Sequence, residues 1–193
     1  MADGTDRADC AGLLLAAGAG RRMGRPKALV ELDGEPLLRR ALRALTEGGC
    51  DPVRVVVGAR AEEVRRLLPD PGLAVDSPDW AEGMGASLRA GLGALPEATA
   101  VLVHLVDLPE VDGRIVDRLA GLAAPDVVAR AVYDGVPGHP VLFGRRWWGE
   151  IAERASGDRG ARDWLRGRTD LRFVECGDLG GGRDVDTPAD LAR

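Results

Sequence analysis

Short apolar runs that read as buried strands alternate with segments of helical periodicity along almost the whole chain. That alternation limits the fold more than any other feature. CAGLLLAA (10–17) is a continuous apolar run entering a glycine turn, the pattern of a strand covered on both faces. EPLLRRALRALTEGG (35–49) puts Leu38, Leu42 and Leu45 at helical spacing and stops on glycines. Further strands are expected at 52–59, 72–78, 98–111, 125–135, 139–144 and 171–177, and helices at 61–69, 84–95, 114–123, 145–155 and 187–193. Strand and helix in turn, joined by short connections, predict an α/β fold, a Rossmann-like three-layer sandwich around a mostly parallel sheet. No repeat or linker interrupts the pattern, so residues 11–193 are expected to form one domain behind a polar N-terminal tail, 1–10.

Composition narrows the function classes. Aromatic residues are 4% of the chain against 45% hydrophobic, so the core must be aliphatic. A net charge of −5 offers no general basic field, which argues against nucleic acid as a partner and makes any phosphate site a local one. The three cysteines, Cys10, Cys50 and Cys176, are odd in number and lack CxxC spacing. With only two histidines, neither a disulfide framework nor a zinc or His-rich site is expected, and a reducing cytoplasm fits. The opening MADGTDRAD lacks a signal-peptide layout. No apolar run approaches the ~20 residues of a membrane helix. A cytoplasmic protein without a membrane partner is the expectation.

In sheets of this kind ligands gather beyond the carboxyl ends of the strands. Two such ends carry polar chemistry. The first is LLLAAGAGRRMGRPK (13–27), an apolar run, three glycines, then Arg21, Arg22, Arg25 and Lys27. The dinucleotide fingerprint needs its third glycine three residues after the second, but Gly18 and Gly20 are followed by Gly24. A P-loop needs Gly-Lys followed by Ser or Thr, but Gly24 is followed by Arg-Pro-Lys. Both readings fail on spacing. What remains is a glycine-flexible loop whose N–H groups can face an anion, ringed by mobile cations whose density suits a triphosphate. The second end is Asp107-Leu108-Pro109. A carboxylate closing an apolar strand is costly to bury unless it meets a cation. A turn or cap before Pro109 competes with metal ligation, and the basic loop on the same edge favours the metal.

LLLAAGAGRRMGRPKALVELDGEPLL resembles the signature of the MobA-like nucleotidyltransferases, which attach a nucleotide to molybdopterin. The pattern is met by Leu15-Ala16-Ala17-Gly18, Gly20, Arg22-Met23-Gly24 and Lys27, with Gly20 at a position where many relatives carry Ser. The similarity continues in GMGASLRAGL (83–92), LVDLPEV (105–111), GHPVLFG (138–144) with SGDRGARDWL (156–165), and DVDTPADL (184–191). GHPVLFG with SGDRGARDWL resembles the branch that uses CTP, the molybdenum cofactor cytidylyltransferases. The first motif alone would also admit sugar-phosphate nucleotidyltransferases.

The resemblance implies a nucleotide-diphospho-sugar transferase-like fold and transfer of CMP from CTP to the phosphate of molybdopterin, with Mg2+ as cofactor. Arg22 and Lys27 resemble the basic residues on the triphosphate, and Asp107 the aspartate that holds Mg2+. Asp186 is the implied second metal ligand, ahead of Asp184, although Thr187 to Asp190 also reads as a capping-box-like helix start. Leu15, Ala16, Ala17, Gly18, Gly20 and Ser87 fall on the nucleotide side, where Ala17 points to cytosine. Ser87 as a simple helix cap is the competing reading. Gly138, His139 and Pro140 resemble an acceptor-side segment, against a structural histidine beside a turn proline. Arg21 and Arg25 occupy variable positions and read as solvated charges. Trp147 and Trp148 are adjacent on a helix, so one is expected to be exposed, for a partner or the pterin. A molybdenum enzyme or its maturation chaperone is a candidate protein partner. The rival readings are a transferase using GTP or a sugar phosphate, and a non-catalytic nucleotide-binding chaperone that delivers the cofactor.

Overall fold

The computed structural model describes residues 9–192. Residues 1–8 of the expected tail and Arg193 lie outside them. Cys10 is not tail: it opens the first strand and pairs with Ala100.

Among the described residues the strands, in chain order, are β1 (Cys10–Leu15), β2 (Glu31–Leu32), β3 (Glu35–Pro36), β4 (Val53–Val57), β5 (Ala74–Asp76), β6 (Ala100–Leu105), β7 (Val128–Tyr133), β8 (Val136–Gly144) and β9 (Arg172–Glu175). The helices are α1 (Leu37–Glu47), α2 (Ala61–Arg65), α3 (Met84–Gly93), α4 (Gly113–Ala120), α5 (Trp148–Arg154) and α6 (Arg162–Leu165). Seven strands form one sheet in the order β5-β4-β1-β6-β8-β7-β9. β4, β5 and β6 run parallel to β1. β8 is antiparallel to both of its neighbours, β6 and β7, while β9 is parallel to β7. The sheet is therefore mostly parallel with one reversed strand.

β1 is buried along its whole length, as its unbroken apolar run requires. Alternate residues serve opposite layers. Leu14 and Leu102 pack beneath α1 and α4 in one aliphatic core, which includes Leu38, Leu42, Leu45, Ile115 and Leu119. Leu13, Val101 and Val103 pack beneath α3 and α5 with Leu88, Leu92 and Ile151. Gly91 lets α3 lie close on the sheet: a Cβ there would stand 2.7 Å from Leu13.

Two hairpins depart from the sequence expectations. The helix expected at 35–49 begins only at Leu37, because Glu35–Pro36 pairs with Glu31–Leu32 across Asp33-Gly34. The strand expected at 139–144 starts at Val136 and is joined to β7 by Asp134-Gly135. In both turns the Asp and Gly have positive φ, 54° and 77° in the first, 50° and 82° in the second. Asp-Gly is the residue pair that the tight hairpin turn favours. The last helix is a short 3-10 turn, Pro188–Ala192. No helix among the described residues is long and apolar enough to cross a membrane.

Candidate active site

A cleft runs along the carboxyl edge of β1 and β6 and has two lobes. The first has a volume of about 490 Å³ and is walled by the loop after β1, the turn from Trp80 to Gly83 and the start of α3. The second, of about 520 Å³, opens over β8, β7 and the segment from Asp158 to Leu165. Arg22, Lys27, Asp107 and Asp186 line both lobes, so the charged residues stand where the two meet. Each volume lies in the ordinary range for a small-molecule site.

The loop is shaped by Gly20. Its φ is +63°, and a Cβ on it would fall 1.9 Å from the carbonyl oxygen of Arg25. A side chain, including the serine of related patterns, does not fit this conformation. Arg25 turns back to donate to the carbonyl of Leu29, which makes it a brace for the loop. Arg21 lies exposed on the wall of the first lobe.

Lys27 is the centre of the junction. Its side chain is only 18% exposed, and its ammonium donates to Asp107 at 2.6 Å and to Asp186. Burial alone would lower its pKa, but the Asp107 charge and the hydrogen bonds to both carboxylates outweigh that and raise it above the usual lysine value. Arg22 pairs with the other oxygen of Asp186 at 2.8 Å while remaining mostly in solvent. Asp107 sits just past the end of β6. Its carbonyl accepts from Val185 N at 2.9 Å, which brings the C-terminal segment to the site. Asp190 fixes that segment by accepting from the backbone N–H of Asp186 and of Thr187 and from the Thr187 hydroxyl. The capping reading of 187–190 and the site position of Asp186 thus hold together: Asp190 caps, and Asp186 faces the cleft. Asp184 lines the second lobe without joining Lys27.

The structure gathers most of the residues expected at the site and separates a few. Leu15, Ala17, Gly18, Gly20 and Ser87 line the first lobe. Ala16 does not: it points to the opposite layer, under α1, because successive residues of an extended segment alternate. Ser87 is no helix cap, since the N-cap of α3 is Gly83 and Ser87 lies a turn further in, buried. Gly138 and His139 line the second lobe. Pro140 is buried within β8, so the segment is strand, not a turn. Neither tryptophan reaches the cleft. Trp148 is buried and donates to the Phe143 carbonyl at 3.1 Å, and Trp147 is covered by Arg168, whose guanidinium lies 4.3 Å from its ring.

Several polar or flexible side chains of the cleft carry no local sequence signature of a site. Arg130 and Arg162 line the second lobe, and Met84 and Asp158 line both. Arg130 is the one charge inside the apolar run VVARAVY.

Such a site has two chambers joined at a cluster of two cations and two carboxylates. It can hold a polyanion in one chamber and a second reactant in the other. A model described as the MobA-like NTP transferase domain matches residues 12–173. The chain belongs to this family of nucleotidyltransferases. Along 98% of both chains, the MobA-like protein is 37% identical to one from Paenarthrobacter nicotinovorans named nicotine blue oxidoreductase. It is 37% identical to the molybdenum cofactor guanylyltransferase of Rhizobium johnstonii over 71% of this chain and 63% of that one. Among solved structures, Rv0371c from Mycobacterium tuberculosis H37Rv superposes with a TM-score of 0.81 and 28% identity, covering 97% of each chain. A second structure of Rv0371c is described as a complex with manganese, and it superposes with a TM-score of 0.72 and 27% identity over 87% of this chain and 88% of that one.

Proposed function

We propose that the protein is a Mg2+-dependent cytidylyltransferase that transfers CMP from CTP to the phosphate of molybdopterin cofactor and releases pyrophosphate. The observation that carries this reading is the convergence of Arg22, Lys27, Asp107 and Asp186 where the two lobes meet. CTP in the first lobe and the acceptor phosphate in the second bring two anions together, so the chain's task is charge neutralisation and in-line placement. A phosphate oxygen of the acceptor forms a bond to the α-phosphorus. The bond from that phosphorus to the bridging oxygen breaks, and pyrophosphate leaves with the electron pair. Lys27 supplies a point charge and Arg22 a planar fork to the oxygens that gain charge. The triphosphate competes with Asp107 and Asp186 for both cations.

The carboxylates suit a magnesium ion. Asp107 and Asp186 already converge on one cation, and Mg2+ usually takes one or two carboxylates with phosphate oxygens and water completing its shell. When bound, Mg2+ would neutralise the triphosphate. The manganese complex of Rv0371c supports a divalent ion, and the guanylyltransferase name of the Rhizobium relative supports nucleotide transfer. Ala17 on the wall of the first lobe supports cytosine over guanine. The test is to incubate the protein with Mg2+, molybdopterin cofactor and either CTP or GTP, and to weigh the products. A CMP conjugate with pyrophosphate is expected; conversion of GTP in preference to CTP would overturn the base assignment.

The oxidoreductase name of the Paenarthrobacter relative favours a second reading, a redox reaction on nicotine blue. Hydride transfer between planar rings needs no cluster of Lys, Arg and paired aspartates, so the junction counts against it. Turnover of nicotine blue by the protein in a redox assay, with no pyrophosphate from any NTP, would establish this second reading instead.

A further inference from the structure

The first lobe has two unlike ends. Arg22, Lys27, Asp107 and Asp186 line both lobes, whereas Trp80 lines the first and not the second. Among the described residues that line the first lobe, Trp80 is the one aromatic side chain. Trp147, Trp148 and Trp164 line neither lobe. One end of the lobe is therefore charged and the other carries an indole.

Backbone bonds and one missing side chain hold that indole in place. Ser77 donates its N–H to the Val57 carbonyl at 2.9 Å, and Trp80 donates to the Ser77 carbonyl at 3.1 Å, so the turn hangs from the end of β4. Gly58 follows Val57. A Cβ on it would stand 2.6 Å from the Cβ and Cγ of Trp80 and 2.8 Å from the carbonyl oxygen of Ala17. Only without a side chain at position 58 can the root of the indole lie beside the backbone of Ala17. That carbonyl is itself fixed, because Ala59 donates to it at 2.9 Å. Trp80 is partly buried: it packs against the core layer of Leu13, Val56 and Leu88 and still reaches the lobe. An indole left partly open at the end of a polar cleft has apolar surface still to cover.

We infer that Trp80 is the stacking platform for the base of the nucleotide, and that Gly58 is a positioning residue that keeps the platform beside Ala17. A nucleoside triphosphate is two-ended in the same sense as the lobe. With its phosphates at the cations of the junction, its flat heterocycle reaches the indole. Every base has a π-face, so the platform supplies affinity without choosing among bases, and the choice stays with the wall around Ala17. The inference rests on reading the first lobe as the nucleotide side.

The test titrates the full chain, with Mg2+, with CTP, GTP and inorganic tripolyphosphate. Affinity is read by calorimetry and tryptophan emission is recorded on the same samples. In the native protein CTP is expected to change the emission, and tripolyphosphate, which has no base, to bind without that change. Trp80→Leu should weaken CTP and GTP alike, by about tenfold or more, the scale of one base–aromatic stack, and leave tripolyphosphate affinity as it was. Gly58→Ala should weaken CTP several-fold in the native background and less in Trp80→Leu, where the indole is no longer there to be displaced. Trp80→Phe keeps a ring and the packing around it, so CTP should still bind while the emission change disappears; this variant carries the test if Trp80→Leu does not fold. Native CTP affinity in Trp80→Leu overturns the inference, as does a loss for tripolyphosphate equal to that for CTP, or an emission change that persists in Trp80→Phe. If the native protein bound none of the three probes, the transferase reading itself would fall and the inference with it.

Discussion

Val185 donates its backbone N–H to the carbonyl of Asp107 at 2.9 Å, so a residue near the C-terminus is tied to the end of the central strand. Through that bond Asp186 reaches Lys27, 159 residues earlier in the chain. The junction of the two lobes is thus built from three remote segments held by backbone pairing and one shared ammonium.

Lys27→Met should expose how much rests on that ammonium. Two carboxylates would then face each other without their central cation, and nucleotidyl transfer is expected to fall by about 100-fold or more. The loss of stability should be about 1–3 kcal/mol, because the group is mostly shielded but not fully buried. Added Mg2+ should raise the melting temperature of the variant more than that of the native protein. Parallel melts with and without Mg2+ check this, and an equal Mg2+ response in both would count against metal binding by Asp107 and Asp186.

Ala17→Gly tests the base. If the wall of the first lobe selects cytosine, removal of this methyl should shift the ratio of kcat/KM for CTP and GTP by about tenfold toward GTP, the scale set by one methyl in a pocket. Competition between the two nucleotides in one assay reads the ratio directly. An unchanged ratio would remove Ala17 from base choice.

Gly20→Ala should damage the loop and spare the core. The added Cβ would overlap the Arg25 carbonyl and oppose the positive φ, so the loop must move. A stability loss of about 1–3 kcal/mol is expected, with nucleotide affinity falling on the order of tenfold or more. Titration of CTP followed by a thermal melt separates the two effects.

His104 gives the protein a pH limit of its own. It is fully buried in β6, neither ring nitrogen meets a hydrogen-bond partner among the described residues, and burial followed by the charge of His139 lowers its pKa to about 3. As pH falls below the ordinary histidine value of 6.5, the unfolded chain takes up a proton that the folded chain refuses. Stability from this source is therefore complete above pH 6.5 and is lost progressively toward pH 3, with His139 acting in the same direction down to about 4. Depressed carboxylates such as Glu35 and Asp178 contribute their loss only below the ordinary carboxylate range. Melting temperature should decline between pH 6.5 and 5, and His104→Leu should flatten that decline while stabilising the protein at pH 7 by about 1–2 kcal/mol. A decline of unchanged slope in the variant would exclude His104 as its source.

Where the local pattern determined the structure, the sequence could be read directly. The run of β1, the leucines of α1 and the carboxylate after β6 follow from periodicity and from the cost of burying charge. The reversed strand is not legible in the pattern, because Asp134-Gly135 suits the end of one strand as well as a hairpin that continues into the next. Helix α1 starts two residues later than its apolar spacing predicts for the same reason, at Asp33-Gly34. Arg130 is not legible locally, because a single charge in a strand pattern resembles any solvent-facing position until its neighbours are known. The tie between Asp107 and Val185 joins segments 78 residues apart, a pairing that no local rule encodes.

The reversed strand β8 also makes the sheet divisible. Strands β5, β4, β1 and β6 form one continuous parallel block, and β7 with β9 forms another, with β8 as the seam between them. Insertions at the Asp134-Gly135 tip, or exchanges of side chains along β7, can remodel one chamber while the parallel block and its glycine loop keep their register. A scaffold with such a seam can acquire new acceptors without relearning how to hold a nucleotide.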